Sequence, residues 1–230
     1  MWMAEHSLYK EDYELALKYA PHLYYDKNEP FAVNRIGYSI FRQSGRSKSF
    51  ERDILVSPEK AAYVIEYQLY YDFDIQHMYD LEHVWIYVGY NGEVADAEAS
   101  AHGSWMNCFR YLGALEEGTH IPVYVQPGKH AMLPDGKLFC LFGDCAAACN
   151  KAAGTSGLLV TKLYRDIIVK DSYMDLQVCN YIRENYSFEP SLEFYPAAYP
   201  EDIIITWEEL YCFIPVRINK LLADLGLGRA

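Results

Sequence analysis

No run of apolar residues approaches the ~20 needed to cross a bilayer, and no cluster of Lys or Arg occurs anywhere in the 230 residues. The first absence argues against a membrane-spanning helix. The second, with 20 basic against 32 acidic residues and a net charge of -12, disfavours nonspecific attraction to nucleic acid or anionic lipid. The segment from Met1 to Asp12 has neither a basic start nor an apolar stretch, so the chain reads as cytoplasmic. There is no C-x-x-C pair among Cys108, Cys140, Cys145, Cys149, Cys179 and Cys212, which argues against a zinc ribbon or a disulfide scaffold and for reduced, mostly buried thiols. Repeats, low-complexity tracts and linkers are also missing. One domain over 1–230 is expected at this length.

What the chain has in excess is tyrosine, 22 residues of it within an aromatic content of 16%, a composition that favours extended structure. Short β-branched or aromatic runs bounded by Gly, Pro, Asn and Asp lie at Leu23–Asp26, Gly37–Phe41, Ala62–Phe73, His83–Tyr90, Glu93–His102, Ile121–Val125, Leu158–Leu163 and Ile203–Thr206. They predict a mainly β, α+β fold: a β-sandwich or open barrel decorated by helices over Ser7–Tyr19, Asp144–Ala153, Asp171–Tyr186 and Trp207–Leu225, the last interrupted or kinked at Pro215. Asn91-Gly92 predicts a two-residue type I′ turn pairing the strand before it with Glu93–His102.

Chemistry concentrates in Asp72-Phe-Asp-Ile-Gln-His77-Met-Tyr-Asp80-Leu-Glu82-His83. Side chains alternate across a strand. One face from Ala62 onward therefore carries Tyr63, Ile65, Tyr67, Leu69, Tyr71 and Phe73 as core, and the other carries Glu66, Asp72 and Asp74, three acids that repel unless a cation offsets them. Asp80 and Glu82 share a face of the next strand, and His77 joins them only if Gln76–Tyr79 bends. Asp96, Glu98, Ser100 and His102 share a face of the strand after that. Pro127-Gly128 predicts a turn that brings Lys129 and His130 over the mouth of the sandwich. Carboxylates with imidazole suit a divalent cation, magnesium or calcium first and manganese or zinc next. The expected ligands are Asp72, Asp74, His77, Asp80 and Glu82.

The stretch His77-Met-Tyr-Asp80-Leu-Glu82-His83-Val-Trp-Ile-Tyr-Val, followed by Ala99-Ser-Ala-His102-Gly103, resembles the necrosis-inducing (Nep-like) proteins, whose hallmark is G-H-R-H-D-W-E before a hydrophobic strand. Pro122-Val-Tyr-Val-Gln-Pro-Gly-Lys-His130-Ala is similar to a segment of the vacuolar protein sorting protein 62 family. The departures are Gln76 for the leading Gly, Tyr79 for the second His and Leu81 for the Trp. The resemblance implies a β-sandwich whose cation pocket includes His77, Asp80 and Glu82, with Asp72 or Asp74 as the remaining acid.

Two functions follow. The first is cation-dependent binding of a glycan, lipid headgroup or other small molecule. The alternative is a metal-dependent hydrolase of a phosphoester, ester or glycoside in which His102 or His130 moves the proton and Lys129 holds an anionic substrate.

Overall fold

The computed structural model describes residues 2–141 and 145–228, with side chains from residue 9 onward. Helix α1 (Trp2–Lys18) leads into strand β1 (His22–Asp26), separated by Pro21, which cannot continue the helix. Next come β2 (Arg35–Phe41), a short hairpin of β3 (Gly45–Arg46) and β4 (Asp53–Ile54), the long strands β5 (Tyr63–Phe73) and β6 (His77–Val88), then β7 (Val94–Ala101) and β8 (Ser104–Asn107). The rest runs β9 (Pro122–Val125), β10 (Met132–Leu133), α2 (Cys145–Cys149), β11 (Gly157–Leu158), α3 (Ser172–Tyr186), β12 (Phe194–Ala197), β13 (Ile204–Thr206) and α4 (Trp207–Asp224).

The fold is α+β and mostly sheet, with sandwich-like packing. A seven-stranded sheet in the order β13-β2-β5-β6-β7-β8, with β11 alongside β6, faces a four-stranded sheet in the order β10-β9-β1-β12. Tyr67, Leu69, Tyr71, Val84 and Ile86 from the larger sheet meet Leu23, Tyr25, Val123 and Val125 from the smaller one. That core is the face expected from alternation, except that Phe73 turns to the other side.

The second face of the large sheet is also buried, because α3 and α4 cover Tyr70, Phe73, Met78 and Tyr79, while the 41–61 segment covers Val64, Trp85 and Tyr87. Glu66 on this face is therefore enclosed rather than solvated: it accepts from Ser47 Oγ (2.6 Å), Trp85 Nε1 (2.9 Å) and Gln68 Nε2 (3.1 Å). Burial pushes its carboxyl up, those bonds opposing.

Local chemistry explains the helix starts. Asp171 accepts from the Met174 amide at α3, and Thr206 with Glu209 forms a capping box at α4. Pro215 does not interrupt α4. The helix runs through it with Pro215 buried, so packing on the sheet outweighs the missing amide. The helix expected over Asp144–Ala153 appears as Cys145–Cys149, Asp144 lying outside the described residues. Of the run Leu158–Leu163 only Leu158 is strand, in Gly157–Leu158, since the chain turns from Thr161. The β6–β7 pairing is as expected, but its loop spans Gly89–Glu93 with only Gly92 left-handed (φ 79°), not a two-residue turn. Among the described residues no helix is long and apolar enough to cross a membrane.

Candidate functional site

Asp80 and Glu82 point from β6 into the space between the sheets at the end of the apolar core, opposite Tyr71 and Leu69 of β5. Tyr79, with φ of 77°, supplies the bend that brings His77 to the same side. Asp74 lies just past β5, so strand alternation no longer governs it. Its Oδ1 accepts from the amides of Gln76 (2.6 Å) and His77 (2.8 Å), which shapes the turn, and its Oδ2 receives the Lys129 ammonium and lies 3.2 Å from His77 Nε2. Lys129 also donates to Gln76 Oε1 (3.1 Å).

His130 reaches Asp80 directly. Its Nδ1 donates to Asp80 Oδ2 at 3.0 Å, and its Nε2 lies 3.8 Å from Glu29 Oε1, an ionic contact too long for a hydrogen bond. The imidazole is fully buried, stacked on Tyr71 at 3.8 Å and met edge-on by Phe31 at 5.7 Å. Burial alone would lower its pKa, but the hydrogen bond with Asp80 and the charges of Asp80 and Glu29 raise it to about 9. Asp80 is held below the ordinary carboxylate range, its burial outweighed by His130, His77 and Lys129. Glu82 is different. Ser100 Oγ donates to it while accepting from the His83 amide (2.6 Å), and no positive side chain among the described residues pairs with it. Burial, reinforced by Asp80, pushes its pKa up to about 8.

The Pro127-Gly128 turn thus delivers Lys129 and His130 to the carboxylates. Gly128 has φ of 67°, its amide donates to Glu29 Oε2 (2.7 Å), and a Cβ there would stand 2.9 Å from Ile75 Cβ. Gly128→Ala is expected to cost about 1–3 kcal/mol in urea denaturation, with a matching loss of the Lys129–Asp74 contact.

Two expected members are elsewhere. Asp72 faces the helix layer, where Arg217 of α4 grips it with Nε (3.0 Å) and Nη2 (2.6 Å), and Asn34 adds a third donor. Strand alternation separates it from Asp80, so Asp74 is the acid that joins the cluster. His102 sits exposed in the β7–β8 turn with φ of 51° and bonds Gln126 Oε1 at 2.9 Å. Asp96 and Glu98 are also engaged elsewhere, with Asn107 and with Arg52 and Tyr87. Glu29 was not foreseen: it lies in a loop about a hundred residues from Gly128, and no spacing points to it. Ser100 lies within the Ala99-Ser-Ala-His102-Gly103 segment, which was the available signal.

The cluster gathers four carboxylates, of Glu29, Asp74, Asp80 and Glu82, around one ammonium and the imidazoles of His77 and His130. Among the described residues, no three His, Cys, Asp or Glu side chains stand in ligating geometry for a metal, because Lys129 and His130 already engage Asp74 and Asp80. The donor chemistry nevertheless fits a hard divalent cation at one point: Glu82 is a buried carboxylate that pairs with no positive side chain among the described residues, since Lys129 and His130 engage Asp74 and Asp80.

No protein-family model matches the chain, and no curated protein matches it. Among solved structures, the chain is similar to NLPPya, a necrosis-inducing (Nep-like) protein. NLPPya in complex with glucosamine and in complex with mannosamine each show 18% identity and a TM-score of 0.34, with matches over 52% of this chain and 64% and 65% of those chains. A substituted NLPPya shows 19% identity, a TM-score of 0.32, and coverage of 52% and 70%. The chain thus spans somewhat under two thirds of the first of these structures.

Proposed function

We propose that the protein binds a hydroxyl-rich small molecule, a glycan or the sugar of a lipid headgroup, through a divalent cation held by Asp74, His77, Asp80 and Glu82. Glu82 carries the reading. An enclosed carboxylate beside another carboxylate is costly to ionise, and its neighbours Lys129 and His130 are committed to other acids. A divalent cation bridging Asp80 and Glu82 would offset both charges, and its remaining positions would take ligand hydroxyls. Lys129 would have to release Asp74 for a third acid to join, so Lys129 is a competitor of the cation. Magnesium or calcium suits these oxygen donors best.

The hydrolase alternative has less support. His130 exposes no nitrogen to solvent and is clamped between two carboxylates and two rings, which suits positioning of Asp80 rather than shuttling of protons.

Metal analysis of purified protein, with calorimetric titration of magnesium and calcium, tests the proposal. One cation per chain is expected, lost in Glu82→Gln, strengthened in Lys129→Met and required for retention on a glycan array. Absence of saturable cation binding near pH 8 would overturn it.

A further inference from the structure

The opposite face of β6 carries a second cavity that shares no side chain with the carboxylate cluster. Tyr79, Leu81 and His83 alternate with Asp80 and Glu82 and so project to the other side of the sheet, where they form one wall of a cavity of about 430 Å³, within the range of small-molecule sites. The Arg46–Glu51 segment of the β3–β4 hairpin and Thr161–Leu163 close it from either side. Arg46, Lys48 and Lys162 line this cavity with Glu51 as the only acid, an excess of positive charge in a chain whose net charge is -12. Their pairings with Asp53, Glu208 and Glu51 are among exposed side chains, and such surface pairs hold their partners weakly.

The residues that wall the cavity carry polar atoms buried behind its surface. His83 is buried, with Nε2 bonded to Ser49 Oγ (2.8 Å) and Nδ1 without a partner. The hydroxyls of Tyr79 and Thr161 feel each other but lie outside hydrogen-bond geometry. Three of the nine buried, unpartnered side-chain atoms among the described residues thus belong to residues that line this cavity, although the atoms themselves lie behind its surface. Phe50 stands edge-on to His83 at 5.0 Å, which provides an aromatic wall.

We propose that this cavity is a separate binding site for a small organic phosphate or sulfate ester, with its anionic group at Arg46, Lys48 and Lys162 and a flat aromatic body against Phe50, Leu81 and Leu163. A free inorganic anion would use only the mouth and leave the apolar wall uncovered. The body of the ligand therefore adds affinity through burial against that wall.

Calorimetry in the presence of chelator, with phenylphosphonate, benzenesulfonate and inorganic phosphate as probes, separates this site from any cation-dependent one. Saturable one-to-one binding of an aryl anion, about tenfold tighter than inorganic phosphate, is expected. Preference between the two aryl anions tells a phosphate ester from a sulfate ester. The exposed pair Lys48→Ala/Lys162→Ala should keep the melting temperature and weaken binding about tenfold. Phe50→Ala should weaken the aryl anion about tenfold and leave inorganic phosphate unchanged, since Phe50 supplies the aromatic wall. No saturable binding of either aryl anion, or undiminished binding in the double lysine variant, would overturn the proposal.

Discussion

Asn in place of Asp80 is expected to destabilise the protein by about 3–5 kcal/mol near pH 6, the range found when one partner of a buried ion pair is removed. The His130 imidazole is fully buried and, among the described residues, has its only hydrogen bond to Asp80. Without that anion, the imidazole must either stay charged against rings on two sides or lose its proton and leave Glu29 facing a neutral ring at 3.8 Å. Removing the Asp80 charge also relieves Glu82, and a double-mutant cycle with His130→Gln separates the two effects. The penalty should shrink above about pH 9, where His130 has released its proton in the wild type as well. A loss under about 1 kcal/mol at pH 6, the level of an exposed pair, would show that the Asp80–His130 contact contributes little.

The second large effect is a steep fall in the stability of the cation-free protein between pH 6.5 and 8. Glu82 rises from an ordinary 4.5 to about 8 and His130 from 6.5 to about 9. Over 6.5 to 8 the folded state therefore keeps two protons that the unfolded chain has released, and stability falls as pH rises. Between 4.5 and 6.5 the slope is nearly level. There Glu82 lowers stability with rising pH, while His83, pushed by burial down to about 3, raises it because only the unfolded chain takes up that proton. Above 8 only His130 of these groups still contributes, up to about 9. Asp80 acts at the acid end: its contribution is present above 3.8 and lost as pH falls through its lower folded value. The expected fall from pH 6.5 to 8 is on the order of 3 kcal/mol, read by urea denaturation at a series of pH values. Glu82→Gln should halve it. A saturating divalent cation should oppose it, because binding requires the ionised carboxylate. Equal stability at pH 6.5 and 8 in chelator would refute the assignment of both groups.

The sequence alone determined the elements whose signals are local. Alternation marked Tyr67, Leu69 and Tyr71 as core, Pro21 separated α1 from β1, and Pro127-Gly128 announced the turn that carries Lys129 and His130, because each depends on the backbone preferences of a few adjacent residues. The grouping of His77, Asp80 and Glu82 was legible for the same reason, since it needed only strand parity and one bend at Tyr79.

Only the tertiary structure decided which acids face which cations. Asp72 and Asp74 share a strand face by parity, yet the strand ends at Phe73, and Arg217, 145 residues away, fixes Asp72 on the helix side while Lys129 draws Asp74 to the other. The sequence marked the second face of β5 as a place where acids need a cation. It could not reveal that α3, α4 and the 41–61 segment bury that face, because which amphipathic surface covers a sheet depends on packing between distant segments. Glu29 entered the site in the same way. Its contact with His130 is set by where two loops meet across the mouth of the sandwich, and nothing in the residues beside Glu29 encodes that meeting.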